Sequence, residues 1–533
     1  MNCPAYDIII RNGFVVDGTG NPGFRADVGI RGDRIAALAT RLDGTAPLDL
    51  DAEGKVVAPG FIDPHAHVEL ICFTNPTLKE YVYQGVTTVV NGNCGHSVTP
   101  YGADNVREYM YRNGLIGPSQ RDLGVQWDDF AGYQDAVRSN GGTTINQATL
   151  LGHGTLRWSV MHGAEKRGQS PAETEEMQSL VAQGLDQGAV GMSTGLAYIP
   201  SSFAPTEELI EVAAVLAEHD AVYASHLRTP IGLVESVREA LEIGRRAGCW
   251  VQISHLPMSY NLIADAREAG LEVAIDTIPA STGHLVRSDR MVQFTMTLSL
   301  EYFDQDIQDV LEAMKTPDGR AAFVEQNFFL SRDKSEVFLV NTNRRDWEGR
   351  SVAEVAEEMG IDATDLMFDI MLDDDVEATF WYGRHRKTGD GPHPPAESIQ
   401  NRLVGPGADL LLVDPLDPTS WYELVRPGTF PFFLQMGLKS GVALEELVRR
   451  CTSLPAQTFR LRDLGLLVEG KRADVIVFDR DRFDFPNRYE LDYTKPVTLA
   501  TGMQHVVVNG TPVLQAGEFV DNVRPGRQLR RGQ

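Results

Sequence analysis

The amino-acid sequence predicts an α/β protein: a (β/α)8 TIM barrel with a β-sandwich built from both termini and an insertion late in the barrel. Three observations lead to this fold class. Strand-like runs alternate with helix-like stretches through the middle of the chain. Short alternating β patterns occur at both ends, and the strand–helix rhythm is interrupted once, late in the chain.

The two terminal segments predict one small β domain. Near the start, YDIIIRNGFVVDG and ADVGIRGDRIAALA alternate apolar with polar residues between turn signals. Near the end lie ADVIVFD and MQHVVVNGTPVLQAG, in which Asn509-Gly510 is typical of a two-residue hairpin turn. We therefore assign residues 1–58 and 460–533 to the two parts of the β-sandwich.

Eight short β-branched runs predict the barrel, over residues 59–430. Helix-like stretches lie between them, such as TEEMQSLVAQGLDQG and TEELIEVAAVLAEH. Thr174 and Thr206, each followed by two glutamates, suit helix N-termini because acidic groups match the helix dipole there. The runs are 60–63, 87–90, 144–152, 189–193, 222–225, 250–254, 272–276 and 402–405.

The interruption covers residues 284–400 and predicts an insertion after the seventh strand. It contains a helix-like piece, SVAEVAEEMG, and a basic stretch, GRHRKTGDGPHPP. A segment this long inside a compact barrel is typically a lid or a small subdomain. His385 and His393 lie in it, and neither is assigned a role.

Composition and charge restrict the class of partner. The chain has 533 residues, 42% hydrophobic and 23% charged, which is typical of a globular protein. Its formal net charge is −26, so nucleic acid and anionic membranes are unfavourable partners. A small-molecule substrate with a carboxylate would need a local cation to hold it. The sequence does not indicate an oligomeric state.

The cysteines and the N-terminus favour a cytoplasmic protein. The start of the chain has no basic stretch followed by an apolar run, and no run of 18 apolar residues occurs. An odd and scattered set of cysteines is typical of reduced thiols. The five are Cys3, Cys72, Cys94, Cys249 and Cys451.

Residues that bind metals stand at the ends of the predicted strands. Two histidines at positions i and i+2 of extended chain point the same way, so one ion can take both. A single strand-end histidine is more often structural, but imidazole, thiolate and carboxylate groups at several converging strand ends form a zinc ligand set. The candidates are His65, His67, Cys94, His226, His255 and Asp409.

These residues lie in motifs that resemble a known family. GKVVAPGFIDPHAH resembles the opening of the amidohydrolase superfamily, and GKRADVIVFD resembles its closing β-sandwich. Within that superfamily the chain is similar to the D-aminoacylase (N-acyl-D-amino acid deacylase) family. The matching pieces are GVTTVVNGNCGHS, LLGHGTLR, GMSTGLAYIPSSFAPTEEL, SHLR, VQISHL and RCTSLPAQTF.

The resemblance implies a zinc site and its ligands. It implies one tightly bound Zn²⁺ held by Cys94, His226 and His255. A second, weaker or vestigial position would take His65, His67 and Asp409. The fourth strand reads GAVGMSTGL without a lysine, so the carbamylated lysine of hydantoinase-like relatives is missing and Cys94 supplies the anionic ligand.

The resemblance also implies a mechanism and a substrate class. Asp409 accepts the proton of the attacking water and later delivers it to the leaving amine. Arg228 grips a substrate carboxylate, and Tyr198 assists. Asp414 is the alternative base, because the GPGAD context of Asp409 differs from the family pattern. The expected reaction is deacylation of an N-acyl-D-amino acid.

Other functions stay open at this point. RTPIG and DTIPAST depart from the family pattern where substrate would bind. A different metal-dependent C–N hydrolase, acting on a carbamate, a lactam or a specialised-metabolite amide, therefore remains an alternative. A non-catalytic barrel protein is a second alternative, although such proteins typically lack the metal ligands present here. A deaminase on the same barrel is a third.

Overall fold

The structure, a computed structural model, describes residues 6–99, 102–113, 115–116, 118–256, 260–279, 283–288, 307–326, 330, 332–373, 378–383, 396–410, 426–486 and 497–532. Strands are numbered in chain order. They are β1 Ile8–Val15, β2 Phe24–Arg31, β3 Arg34–Ala39, β4 Leu48–Asp51, β5 Val56–Pro59, β6 Phe61–Asp63, β7 Val86–Asn91, β8 Asn146–Gly152, β9 Gly191–Gly195, β10 Val222–His226, β11 Trp250–Ile253, β12 Val273–Thr277, β13 Gly283–Arg287, β14 Val337–Asn341, β15 Thr379–Gly383, β16 Val404–Pro406, β17 Val475–Phe478, β18 Met503–Val508, β19 Thr511–Gln515 and β20 Glu518–Phe519.

A parallel barrel holds the middle of the chain together. Within the described residues, eight strands pair in the order β16-β12-β11-β10-β9-β8-β7-β6. The two outer strands approach each other beyond their ends, where Ala66 forms a parallel bridge with Leu410 and Asp409 N donates to His65 O at 2.8 Å. Each strand overlaps one of the eight predicted runs, so the predicted TIM barrel is confirmed.

The barrel interior changes character along its axis. On β10, Val222 and Ala224 belong to an apolar cluster that plugs one end of the barrel, together with Phe459. Further along, His226 ends the same strand, and Gln252 and other polar groups fill the carboxyl end. The inward side chains of a strand are thus apolar near its start and polar near its carboxyl end. We call the carboxyl end of the barrel the polar mouth.

Helices cover the outside of the barrel. The helix predicted to begin at Thr206 does so, but the one predicted at Thr174 begins one turn earlier, at Pro171. The reason is a capping box between Ser170 and Glu173, with proline in the first turn.

None of the helices in the described ranges combines the length and apolar character that a bilayer crossing requires. The α-helices span Ile71–Thr74, Lys79–Val82, Ala103–Arg112, Pro118–Arg121, Phe130–Ser139, His153–Val160, Pro171–Asp186, Thr206–Ala213, Val215–Glu218, Leu233–Ala247, Tyr260–Glu268, Ile307–Met314, Pro317–Gln326, Val352–Met359, Ala363–Asp373, Ala396–Gln400, Thr429–Lys439, Leu444–Cys451 and Ser453–Thr458.

Both ends of the chain contribute to a second sheet, which has nine strands in the part of the chain that the structure describes. Its order is β20-β19-β18-β17-β5-β1-β2-β3, with β4 paired to β1. β17 runs antiparallel to β5, which continues into the first barrel strand after a single residue. The predicted hairpin turn at Asn509-Gly510 is confirmed, since both residues have positive φ between β18 and β19. The domain boundaries 1–58 and 460–533 stay predictions.

The late insertion forms a small unit between β12 and β16. Its described strands make an antiparallel sheet in the order β13-β15-β14. Its apolar core, which includes Phe323, Met367 and Phe380, is continuous with Tyr198 and Ile199 from the barrel. The insertion therefore packs beside the polar mouth, and its predicted place late in the barrel is confirmed.

A buried polar cluster joins the barrel to the terminal sheet. Asp474, just before β17, accepts hydrogen bonds from Asn509 N at 2.6 Å and Asn146 Nδ2 at 2.7 Å. Asn509 Nδ2 in turn donates to Asn146 Oδ1 at 2.7 Å. Burial raises the pKa of the Asp474 carboxyl to about 6, despite these donors.

This raised pKa predicts a pH dependence of stability. The folded protein binds the Asp474 proton more tightly than the unfolded chain, whose ordinary value is 3.8. The contribution of the protonated Asp474 to the free energy of unfolding is therefore complete below pH 3.8, and it is lost as the pH rises through about 6. We expect the thermal midpoint of the wild type, relative to Asp474→Asn, to fall between about pH 4 and about pH 7.5. Asp481→Asn, at an exposed carboxyl, is the control; equal slopes in all three proteins would contradict the assignment.

Candidate metal centre and active site

The predicted metal-binding side chains all lie at the carboxyl end of the barrel. Each is placed by the end of a strand or by the first residues after it, where side chains from distant parts of the sequence converge. His65 and His67 follow β6, Cys94 follows β7, His226 ends β10, His255 follows β11 and Asp409 follows β16.

These side chains form two groups that share one sulfur atom. Cys94, His226 and His255 offer donor atoms within 4.8 Å of one another. Cys94 also belongs to a second group with His65, His67 and Asp409 that meets the same limit. The structure thus brings together all six predicted ligands, and it places the cysteine in both donor groups rather than in one of them alone.

Individual distances define how tightly the groups converge. His65 Nε2 lies 3.2 Å from Cys94 Sγ and 3.3 Å from Asp409 Oδ1. His67 Nε2 lies 3.2 Å from the same carboxylate oxygen. His226 Nδ1 lies 3.6 Å from the sulfur. One thiolate, four imidazoles and one carboxylate at this spacing fit zinc, whose protein ligands are sulfur, nitrogen and oxygen atoms of these types.

The electrostatics of the cluster favour a bound cation. Burial opposes ionisation of the Cys94 thiol, yet the imidazoles of His65, His226 and His255 lower its pKa well below the ordinary value. Burial likewise opposes protonation of His65, but the negative charges of Cys94 and Asp409 raise its pKa well above the ordinary value. Buried anionic donors need a positive partner, and a bound metal ion would supply that positive charge.

Three of the six donors have an unusual backbone. Cys94, His255 and Asp409 have φ angles of 55°, 37° and 48°, in the left-handed region. Such residues cost about 1–3 kcal/mol each and persist where the surroundings fix them. Here Asp409 N donates to His65 O, and His255 N donates to Asp276 Oδ1 at 2.8 Å.

Asp276 contacts the donor cluster, and the sequence analysis did not predict it. It is fully buried on β12, where it accepts a hydrogen bond from Gln252 Nε2 at 2.9 Å and lies 3.4 Å from His65 Nδ1. A Cβ atom on Gly407 would lie 2.7 Å from its Oδ1, so this position has no room for a side chain. An aspartate near the carboxyl end of a predicted barrel strand was the signal in the sequence that could have identified it.

Asp63 ties the first and last barrel strands together. It accepts hydrogen bonds from His65 N at 3.0 Å and from Ala408 N at 3.1 Å. The backbones that carry His65 and Asp409 are therefore anchored on one carboxyl. Burial raises the pKa of this carboxyl to about 7.

Tyr198 approaches the donor cluster from the loop after β9. Its hydroxyl lies 3.3 Å from His226 Nδ1, and the two ring centroids are 4.6 Å apart. The end of β9, from which the loop starts, packs directly on Cys94: a Cβ atom on Gly195 would lie 1.9 Å from Cys94 O. Only glycine fits there, so the contact fixes the start of the Tyr198 loop.

Arg228 lies two residues beyond His226 and is bonded to protein groups. Its Nε donates to the Glu239 carboxylate at 3.0 Å, and its Nη1 and Nη2 donate to Ser202 O and Ala204 O at 2.8 Å each. Its role in binding the substrate carboxylate stays a prediction. The alternative base Asp414, and also His385 and His393, lie outside the described residues.

His96 and His153 are buried neutral imidazoles near the mouth. Burial lowers the pKa of each ring to about 3. His96 Nδ1 is 2.8 Å from Tyr109 OH, and His153 Nδ1 is 3.0 Å from Ser201 Oγ. Neither belongs to the two donor groups.

A parallel barrel with converging zinc-type donors at its carboxyl end is the arrangement of a metal-dependent hydrolase. Residues 50–223 and 435–514 match the profile of the Amidohydrolase family. N-acyl-D-glutamate deacylase from Alcaligenes xylosoxydans xylosoxydans is 32% identical over 98% of this chain and 96% of its own. The chain belongs to the amidohydrolase family, among the D-aminoacylases and N-acyl-D-amino acid deacylases.

Two solved structures share the fold over nearly the whole chain. D-aminoacylase, a protein with a binuclear metal centre, superposes with a TM-score of 0.72 at 29% identity, covering 99% of this chain and 100% of its own. N-acyl-D-glutamate deacylase from Bordetella bronchiseptica, complexed with zinc and a phosphonate inhibitor, gives a TM-score of 0.74 at 29% identity. That comparison covers 98% of this chain and 99% of the other.

The position of Asp276 predicts a loss of metal affinity when its charge is removed. The substitution Asp276→Asn removes the carboxylate that contacts the His65 ring and accepts a hydrogen bond from His255 N. Both groups then lose the negative charge that orients them. Changes of this kind cost about 10–100-fold in metal affinity. We expect that decrease in zinc affinity from competition with a chelator. Asp27→Asn, at a buried carboxyl of the terminal sheet, should retain wild-type affinity; equal losses in both variants would mean general destabilisation instead.

Proposed function

We propose that the chain is a zinc-dependent deacylase that hydrolyses N-acyl-D-amino acids to a carboxylate and the free D-amino acid. The observation that carries this proposal is the pair of donor groups that share Cys94 at the barrel mouth. The relatives add the substrate class, since their names specify D-amino acids with an acyl group on nitrogen.

The metal would be held at the two overlapping positions. Cys94, His226 and His255 would form the tight zinc position, and His65, His67 and Asp409 the weaker one. A zinc ion bound there supplies Lewis acidity, which polarises a carbonyl group and lowers the pKa of water.

Asp409 is the group best placed to move protons. Its side chain is 19% exposed, whereas that of Asp276 is fully buried, so Asp409 alone of these two faces the space where substrate enters. As general base it accepts a proton from the attacking water. As general acid it returns a proton to the amine nitrogen while the carbon–nitrogen bond breaks, so that one water is consumed per amide cleaved.

Tyr198 would act on the substrate carbonyl. Its hydroxyl lies beside His226, 3.3 Å from the ring nitrogen that faces Cys94. From this position the hydroxyl can donate a hydrogen bond to the oxygen that gains negative charge during attack. The contact of Gly195 with Cys94 keeps the tyrosine loop close to the donor cluster.

The proposed function is tested by amine release from matched N-acyl-D- and N-acyl-L-amino acids, on protein whose zinc content is quantified. We expect D-selective release that a zinc chelator abolishes and that added zinc restores. Zinc-loaded protein that turns over neither series would sink the deacylase proposal. Release from a carbamate or lactam in the same panel would instead support the other C–N hydrolases.

Two variants separate proton transfer from metal binding. Asp409→Asn should lower kcat about 10²–10⁴-fold, because the general acid–base is removed, while one zinc remains bound at the Cys94 position. Cys94→Ser should lose both zinc and activity, since the shared thiolate is gone. Metal analysis and steady-state kinetics on both variants check this, with Asp481→Asn as the surface control. An active Asp409→Asn enzyme would exclude this residue as the base.

A further inference from the structure

The loop that carries Tyr198 is held by an arginine on either side. We define the Tyr198 loop as residues 196–205. On one side Arg228 Nη1 donates to Ser202 O and Nη2 to Ala204 O, at 2.8 Å each. These bonds bind the guanidinium to the loop backbone, next to the tyrosine.

The second arginine approaches the same loop from the other side. Arg157 is fully buried, and its Nε donates to Pro200 O at 3.2 Å. Its Nη1 pairs with Glu208 Oε1 at 2.5 Å. Both anchors are thus arginine–glutamate pairs that also donate to loop carbonyls, an arrangement that the planar guanidinium fork favours. Arg228 binds two of these carbonyls and Arg157 one, while Nη2 of Arg157 donates to Glu165 O and Arg167 O outside the loop.

Glu239 determines where the Arg228 fork points. Its side chain is 7% exposed, and both of its oxygens lie within 3.1 Å of Arg228 Nε. Thr206 Oγ1 donates to the same carboxylate at 2.7 Å, which fixes its orientation. The paired carboxylate also neutralises the arginine, so a substrate carboxylate would meet a neutral pair rather than an isolated cation.

We infer that Arg228, held by Glu239, positions Tyr198 by clasping the Tyr198 loop, and that it does not act as the grip for the substrate carboxylate. This inference rests on the proposed function for its kinetic consequences. The three nitrogens of the guanidinium are each engaged by protein acceptors, and the charge is balanced by Glu239. Arg228 is therefore a positioning residue.

Short backbone contacts connect the clasp to the tyrosine hydroxyl. Ser202 N donates to Tyr198 O at 2.8 Å. Ser202, whose carbonyl Arg228 binds, is thus itself hydrogen-bonded to the backbone of the tyrosine. At the start of the loop, Leu196 N donates to His226 O at 3.0 Å. Releasing Ser202 O and Ala204 O frees the far side of the loop, and the Tyr198 hydroxyl then loses its fixed distance to His226.

Kinetics with two substrates test the inference. An N-acyl-D-amino acid and its carboxamide, which lacks the carboxylate, are compared for the wild type, Arg228→Gln, Glu239→Gln and Tyr198→Phe. We expect each variant to lower kcat roughly 10–100-fold on both substrates, with KM for the acid changed less than about twofold. Because all three act through one loop, Glu239→Gln should add little to Tyr198→Phe.

The opposite result is equally specific. If Arg228→Gln raises KM for the acid but not for the carboxamide, and Glu239→Gln has no effect, then Arg228 grips the carboxylate and the clasp is wrong. Glu235→Gln is the matched control, because Glu235 lies on the same helix in an exposed pair with Arg238. Arg228→Lys keeps the charge without the fork, so it should behave like Arg228→Gln.

Hydrogen exchange tests the clasp independently of catalysis. In Glu239→Gln we expect faster amide exchange in a peptide that covers residues 196–205, and unchanged exchange in the strand segment 222–226. Unchanged exchange in the loop would overturn the clasp even if the kinetics agreed. If the wild type turns over neither substrate, the proposed function fails, while this measurement still decides the clasp.

Discussion

The Cys94 sulfur lies within reach of two donor groups, and this shared position constrains the segments around it. His65 approaches it from the first strand, His226 from the fifth and His255 from the sixth. A buried thiolate next to several imidazoles is stable only if those rings are held in place. Asp276 and Asp63 hold the backbones and rings, and the Gly195 contact brings the Tyr198 loop onto the cysteine backbone.

Much of this architecture could be predicted because it is written in local patterns. Buried parallel strands are short β-branched runs, and zinc-type residues at their ends are visible by type alone. The six donor residues were therefore predictable, and so were the eight strands that position them. The hairpin at Asn509-Gly510 followed from the same kind of local signal, since asparagine and glycine accept positive φ.

The parts that escaped prediction depend on contacts between distant residues. Nothing in the local sequence pairs Asp276 with His65, because these partners meet only when the barrel closes. Arg228 and Glu239 lie closer in the chain, but they meet only after the helix Leu233–Ala247 has folded against the loop that carries Arg228. The sharing of Cys94 between two donor groups is likewise a property of the assembled mouth. The helix start at Pro171 was missed for a smaller reason: the capping box at Ser170 competes with the acidic pair after Thr174.

The left-handed backbone at Cys94, His255 and Asp409 restricts which amino acids these positions can accept. Aspartate, asparagine and histidine enter that region more readily than most residues, whereas β-branched and bulky side chains do not. His255 and Asp409 thus combine donor chemistry with conformational tolerance. Cys94 does not, and aspartate is the replacement that would suit the backbone while keeping a negative donor. Aspartate at position 94 would replace a soft sulfur donor by a hard oxygen donor, and so would shift the preference of the donor groups towards harder metal ions.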